Sequence, residues 1–164
     1  MKSIIPITIL LFVTSFMACN NQNQPHSEAD KQRVTTETLA NPMNSYLSLF
    51  EIPATDISRA IDFYQAVLGI QIEQMEMPGM EMGIFPYEGQ TIPGVIMKGE
   101  GFKPSPDGVT IYFNGGDNLQ TILDKVEPNG GKIIVPKTAH ADESGFFALF
   151  LDTEGNKIGL NSPN

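Results

Sequence analysis

Residues 47–72 and 109–134 carry one pattern twice. LSLFEIPATDISRAIDFYQAVLGIQI is echoed by VTIYFNGGDNLQTILDKVEPNGGKII; the shift that lays Asp56 on Asp117 also brings Ile61 onto Ile122, Gly69 onto Gly130 and Ile72 onto Ile133. A repeat of this kind is one supersecondary unit used twice, and it constrains the architecture more than any single motif. Each copy opens on a strand, residues 47–53 and 109–114. In the first, Asp56 is placed to cap a helix whose apolar face carries Ile57, Ala60, Ile61, Tyr64 and Leu68. Gly69 stands where a left-handed C-cap is needed. Strands are expected at 70–77, 81–86 and 94–98, punctuated by PGM, YEGQ and Pro93. In the second copy, Asp117 or Asn118 caps a helix carrying Leu119, Ile122, Leu123 and Val126, and Asn129-Gly130-Gly131 stops it. Strands follow at 132–137, 146–152 and 157–161. The predicted class is α+β: two βαβββ modules, about 46–98 and 109–161.

Two segments, FEIPATDISRAIDFYQAVLGI and GFFALFLDTEGNKIGL, resemble the vicinal oxygen chelate superfamily, which groups glyoxalases, bleomycin resistance proteins and extradiol dioxygenases. The resemblance covers essentially all of residues 46–162. It implies that the two modules curl a mixed sheet around one cavity, walled by the first and last strand of each module. It also implies a divalent metal held by His or Gln from the first strands and Glu from the last, polarising a chelated substrate. Carried over position by position, the first-strand ligands fall at Leu49 and Thr110. The last-strand ligand of module two falls at Gly159, within Ile158-Gly159-Leu160, and the fourth at Met97 or Lys98. None is a usual ligand for such a site, so no metal cofactor is expected; a divalent ion would need unexpected ligands.

Strand alternation says what faces the cavity instead. Leu47, Leu49 and Glu51 share one face, while Phe50 and Ile52 go under the helix. Thr110, Tyr112 and Asn114 share a face, while Val109, Ile111 and Phe113 go to the core. Gly159 shares its face with Lys157 and Asn161. The expected ligand-binding set is Glu51, Thr110, Tyr112, Asn161 and Lys98, a few polar groups in an otherwise apolar cleft. Glu51 is the sharpest catalytic candidate, since a carboxylate in an apolar cavity can serve as a general base. Its plainer alternative is an ion pair with Lys98 or Lys157. His140, near Asp142 and Glu143 in AHADES, reads as solvated turn chemistry. Met75, Met77, Met80 and Met82 suit either core filling or a soft metal.

The N-terminal segment stands apart from the fold. Residues 1–18 combine Lys2, a short apolar run and the small residue Ala18, which is the layout of an export signal. Cys19, the single cysteine, follows at the cleavage point, and the segment resembles the lipobox of bacterial lipoproteins, whose cysteine is lipidated. Residues 19–42 read as a polar linker unable to bury enough surface to order itself, and 43–164 as the folded domain. A formal net charge of −9 disfavours nucleic acid and anionic lipid surfaces as partners. The expected protein is an envelope lipoprotein that binds a small organic molecule without metal, with membrane contact through the anchor and a possible homodimer. The alternatives are a glyoxalase-type lyase or isomerase and a non-catalytic partner-binding lipoprotein.

Overall fold

The computed structural model describes residues 46–90 and 92–164; the export signal, Cys19 and linker assignments lie outside the described residues. The element order is β1 (Phe50–Pro53), α1 (Ile57–Leu68), β2 (Glu73–Met77), β3 (Met80–Ile84) and β4 (Gly94–Gly99), then β5 (Ile111–Asn114), α2 (Gln120–Leu123), β6 (Lys132–Ala139), β7 (Phe146–Leu151) and β8 (Lys157–Ser162). These form two four-stranded sheets of the same topology, β1-β4-β3-β2 and β5-β8-β7-β6. In each, the first strand runs parallel to the last and the remaining pairings are antiparallel. The predicted α+β class and the doubled βαβββ module are the observed fold, with the sheets left open rather than closed.

Helix α1 begins and ends where its caps dictate. The Asp56 side chain accepts the Arg59 N–H at 3.1 Å, and Gly69 closes the helix at φ 70° while its own N–H returns to the Gln65 carbonyl. The second helix departs from expectation. Asn118 caps it as expected, its Oδ1 accepting the Gln120 N–H at 3.1 Å, but it spans only four residues and gives way to a 3-10 turn at Glu127–Asn129. The ladder tightens before Pro128, with the Lys125 and Val126 N–H groups returning only three residues back, and Pro128, which lacks an N–H and crowds the Asp124 carbonyl, keeps the α pattern from resuming. The opening strands are also shorter than the alternation suggested. Val109, expected in the core, precedes β5 and is 93% exposed.

The core is built from the helix-facing sides of both sheets. Ile52, Ile96, Phe150, Ile158 and Leu160 are buried there, with Ile57, Ile61, Phe63, Tyr64 and Val67 of α1 packed against them. Gly83 permits the approach, because a Cβ there would sit 2.8 Å from the Ile61 side chain. Aromatic rings join the modules: Phe50 meets Phe85 and Phe113 edge-on at 5.7 Å, and Phe63 lies 6.0 Å from Phe150. Burying a side chain of this size contributes about 1.5–3 kcal/mol relative to leaving it in water. The interface between modules is therefore part of the core.

Candidate functional site

A cleft of about 590 Å³ opens where β1, β5 and β8 face linker residues 103–110. Phe50, Ile52, Ile111, Phe113 and Ile158 give it an apolar wall, and Glu51, Lys103, Thr110, Tyr112 and Lys157 supply the polar groups. Its size falls in the range of roughly 300–1,000 Å³ typical of small-molecule sites. The linker is pinned at the cleft by Asn156, whose Oδ1 accepts the Ser105 N–H at 3.2 Å.

Of the residues singled out from the sequence, Glu51, Thr110 and Tyr112 come together at this cleft. Glu51 is exposed and, among the described residues, its carboxylate makes no hydrogen bond or ion pair. The carboxylate is thus open to solvent at the edge of the apolar wall. Tyr112 is half exposed, with its ring laid over Gly159, its register partner on β8. Asn161 and Lys98 lie outside the cleft lining. The Asn161 Oδ1 stands 2.7 Å from His140 Nε2, and the His140 ring tilts against Phe147 at 5.1 Å. Lys98 forms an ion pair with Glu81, its cross-strand neighbour on β3. Glu51 is registered with Val95, so alternation along β4 sends Lys98 to the opposite face and excludes the Glu51–Lys98 pair. Lys103, Ser105 and Val109 of the wall were read only as linker or core. The lysine before the prolines of KPSPDG was the available signal, but the seating of this linker at the cleft rests on the long-range contact between Ser105 and Asn156.

The positions that the resemblance assigns to a metal do not fit a hard divalent ion. Leu49 is 46% exposed and lies outside the cleft lining, and Met97 is buried. A Cβ built on Gly159 would meet the Tyr112 ring at 2.3 Å, so a glutamate there would have to expel the ring. Thr110 alone offers an oxygen. Among the described residues no three His, Cys, Asp or Glu side chains come together as ligands.

The two sequence signatures meet each other instead. Glu154 of the DTEGN turn reaches the start of α1, where its Oε2 accepts the N–H and hydroxyl of Thr55 and the N–H of Asp56 at 2.7, 2.7 and 3.1 Å. Its Oε1 pairs with Arg59 at 2.8 Å. Burial alone would raise the Glu154 pKa, but these donors outweigh it and hold the carboxyl below its ordinary value. Asp152 accepts the Tyr64 hydroxyl at 2.7 Å, and Asn156 Nδ2 donates to the Pro53 carbonyl at 2.8 Å. Burial, followed by the Asp152 charge, pushes the Tyr64 hydroxyl well above its usual pKa and keeps it a donor. The DISR and DTEGN segments thus form a clasp between modules, beside the cleft wall.

Comparison with known proteins agrees with this architecture. The family described as the Glyoxalase/Bleomycin resistance protein/Dioxygenase superfamily matches residues 46–160. A glyoxylase-like domain-containing protein from Didymella fabae is 33% identical over 119 residues, covering 70% of this chain and 91% of the relative. Among solved structures, a glyoxalase/bleomycin resistance protein from Albidiferax ferrireducens superposes with a TM-score of 0.59 at 18% identity, covering 72% of this chain and 98% of that one. A genomically encoded fosfomycin resistance protein from Listeria monocytogenes gives a TM-score of 0.56 at 17% identity, covering 74% and 96%.

Proposed function

This chain belongs to the glyoxalase/bleomycin resistance protein/dioxygenase superfamily, and from that premise we propose that its domain binds a small, partly apolar organic molecule in the β1–β5–β8 cleft without the family's metal. The observation that carries the reading is the cleft itself: an apolar wall with polar groups at Glu51, Thr110 and Tyr112, and lysines 103 and 157 beside them. Such a site suits a ligand with an aromatic or aliphatic body and a carbonyl or carboxylate end. The test is a thermal-shift panel of small carbonyl compounds, carboxylates and aromatics on the purified chain, since a ligand that binds only the native state raises apparent stability. A saturable shift weakened about tenfold by Tyr112→Ala, or by Thr110→Val, supports the reading. Hits that ignore both substitutions, or a panel without hits, would overturn it.

The unpaired Glu51 carboxylate favours a second reading, a lyase or isomerase using that group as base. Turnover of a panel compound lost in Glu51→Gln, with binding retained, would select it. For the N-terminus we propose lipidation at Cys19 and anchorage in the cell envelope. Cys19→Ser should then move the chain from the membrane to the soluble fraction. A homodimer through the open sheets is compatible with both readings, and sedimentation of the purified chain decides it.

A further inference from the structure

Every methionine among the described residues stands on one face of the first sheet. Met75 on β2, Met82 on β3 and Met97 on β4 are direct register partners, and Met77 is paired with Met80 one step along. Residues two apart on a strand share a face, which joins these two rows into a single surface. It is the side away from α1, because α1 packs over Ile96 and Gly83 on the other face. The rows read Pro53–Met97–Met82–Met75 and Gly99–Met80–Met77, with no oxygen or nitrogen side-chain donor within them. Glu76, Glu81 and Lys98 form the intervening row and face the opposite side. Exposure runs from 5% at Met97 to 41% and 45% at Met75 and Met77 on the edge strand, so the cluster is anchored within the fold and open to solvent at its rim.

We propose that this methionine face is a binding site for a soft monovalent cation, Cu(I), centred on Met82 and flanked by Met75 and Met97. Neighbouring strands lie ~4.8 Å apart, and a thioether on a side chain with three rotatable bonds can lean across that spacing. Three sulfurs from one register row can therefore converge above Met82. Thioether sulfur selects Cu(I) over hard divalent ions, and the two methionine rows themselves hold no carboxylate; Glu51 and Glu73 stand at the two ends of the next row on this face. The net charge of −9 draws cations toward the chain. A core-filling role accounts for Met97 but not for Met75 and Met77, which leave much of their surface in water.

The test uses the full chain in a Cys19→Ser background, so that its single thiol cannot take the metal. Anaerobic Cu(I) titration against a chromophoric chelator, with Ag(I) as a diamagnetic probe of the methionine methyl resonances, reads both uptake and location. One equivalent of Cu(I) is expected, with Ag(I) shifting the Met75, Met82 and Met97 methyl signals. Met82→Leu should weaken uptake at least about tenfold, and the Met75→Leu/Met82→Leu/Met97→Leu variant should abolish it. Leucine conserves volume and keeps the fold, which circular dichroism checks. Failure of the chain to compete for Cu(I), uptake retained in the triple variant, or methyl signals unmoved by Ag(I) would each overturn the proposal. So would a dimer whose formation buries the methionines and excludes the ion.

Discussion

Glu154 shows how much one side chain can hold when its partners are preassembled. Its side chain is fully buried and spans two backbone donors, a hydroxyl and a guanidinium. Its folded pKa is depressed below the ordinary value of 4.5. The stabilisation is therefore complete above that value and is lost as pH falls through the lowered folded pKa. Glu154→Gln should cost about 1.5–3 kcal/mol near neutrality by urea unfolding, the range for hydrogen bonds to a charged group. The gap between variant and parent should narrow on acidification; a gap that persists at low pH would assign the loss to packing instead. The contact between Tyr112 and Gly159 makes a second prediction. Gly159→Ala places a methyl against the Tyr112 ring and should cost about 1–3 kcal/mol through overpacking. A double-mutant cycle with Tyr112→Ala should recover most of that loss, because the cost resides in the pair. Strict additivity would place the strain elsewhere.

At the scale of the element, α1 and α2 differ in where the α ladder gives way. The first helix has a side-chain N-cap and a left-handed glycine C-cap, and it runs twelve residues. The second is capped by Asn118, but its hydrogen bonds tighten to three-residue spacing at Lys125 and Val126, and it runs four. Gly69 gives a clean test because a Cβ there touches nothing within 4 Å, so its requirement is purely conformational. Gly69→Ala should destabilise by about 1 kcal/mol, and Gly69→Asn by less, since asparagine tolerates the left-handed region better. Equal losses in equilibrium unfolding would show that side-chain bulk, not the φ angle, sets the cost. The open sheet faces follow from the same economy. One face of each sheet is covered by core, and on the first sheet the other face carries the methionine rows.

For the molecule as a whole, the two modules are repeats in sequence but do not behave as independent folding units. Rings from both modules interleave in one cluster, and the clasp ties the start of α1 to the β7–β8 turn. A fragment ending at Gly99 would expose Tyr64, Phe63 and Phe85, which are buried in the intact chain. That fragment should lack cooperative thermal unfolding by circular dichroism, and adding a fragment that begins at Gly101 should restore it. Independent folding of either fragment would show that the clasp is dispensable. Because the cleft is lined from both modules and from the linker, ligand binding should return only with the complementing pair.

The doubled module, the limits of α1 and its two caps, and the strand–turn–strand order were readable from residues 46–164 alone. Each depends on contacts within a turn or two of the chain, where periodicity and capping chemistry act. The family resemblance was legible for a related reason, since DISR and DTEGN are contiguous strings. Their joint role was not, because Thr55 and Glu154 lie 99 positions apart and meet only through the sheet topology. The same holds at the site. Strand alternation grouped Glu51, Thr110 and Tyr112 by facing direction, but it could not show that Glu51 lies open to solvent. Nor could it pair Lys98 with Glu81, seat His140 against Asn161, or lay the Tyr112 ring over Gly159. Those outcomes follow from strand register and sheet order, which decide which distant side chains become neighbours. A single strand's pattern fixes the face a residue occupies, and only the assembled sheets fix what it meets there.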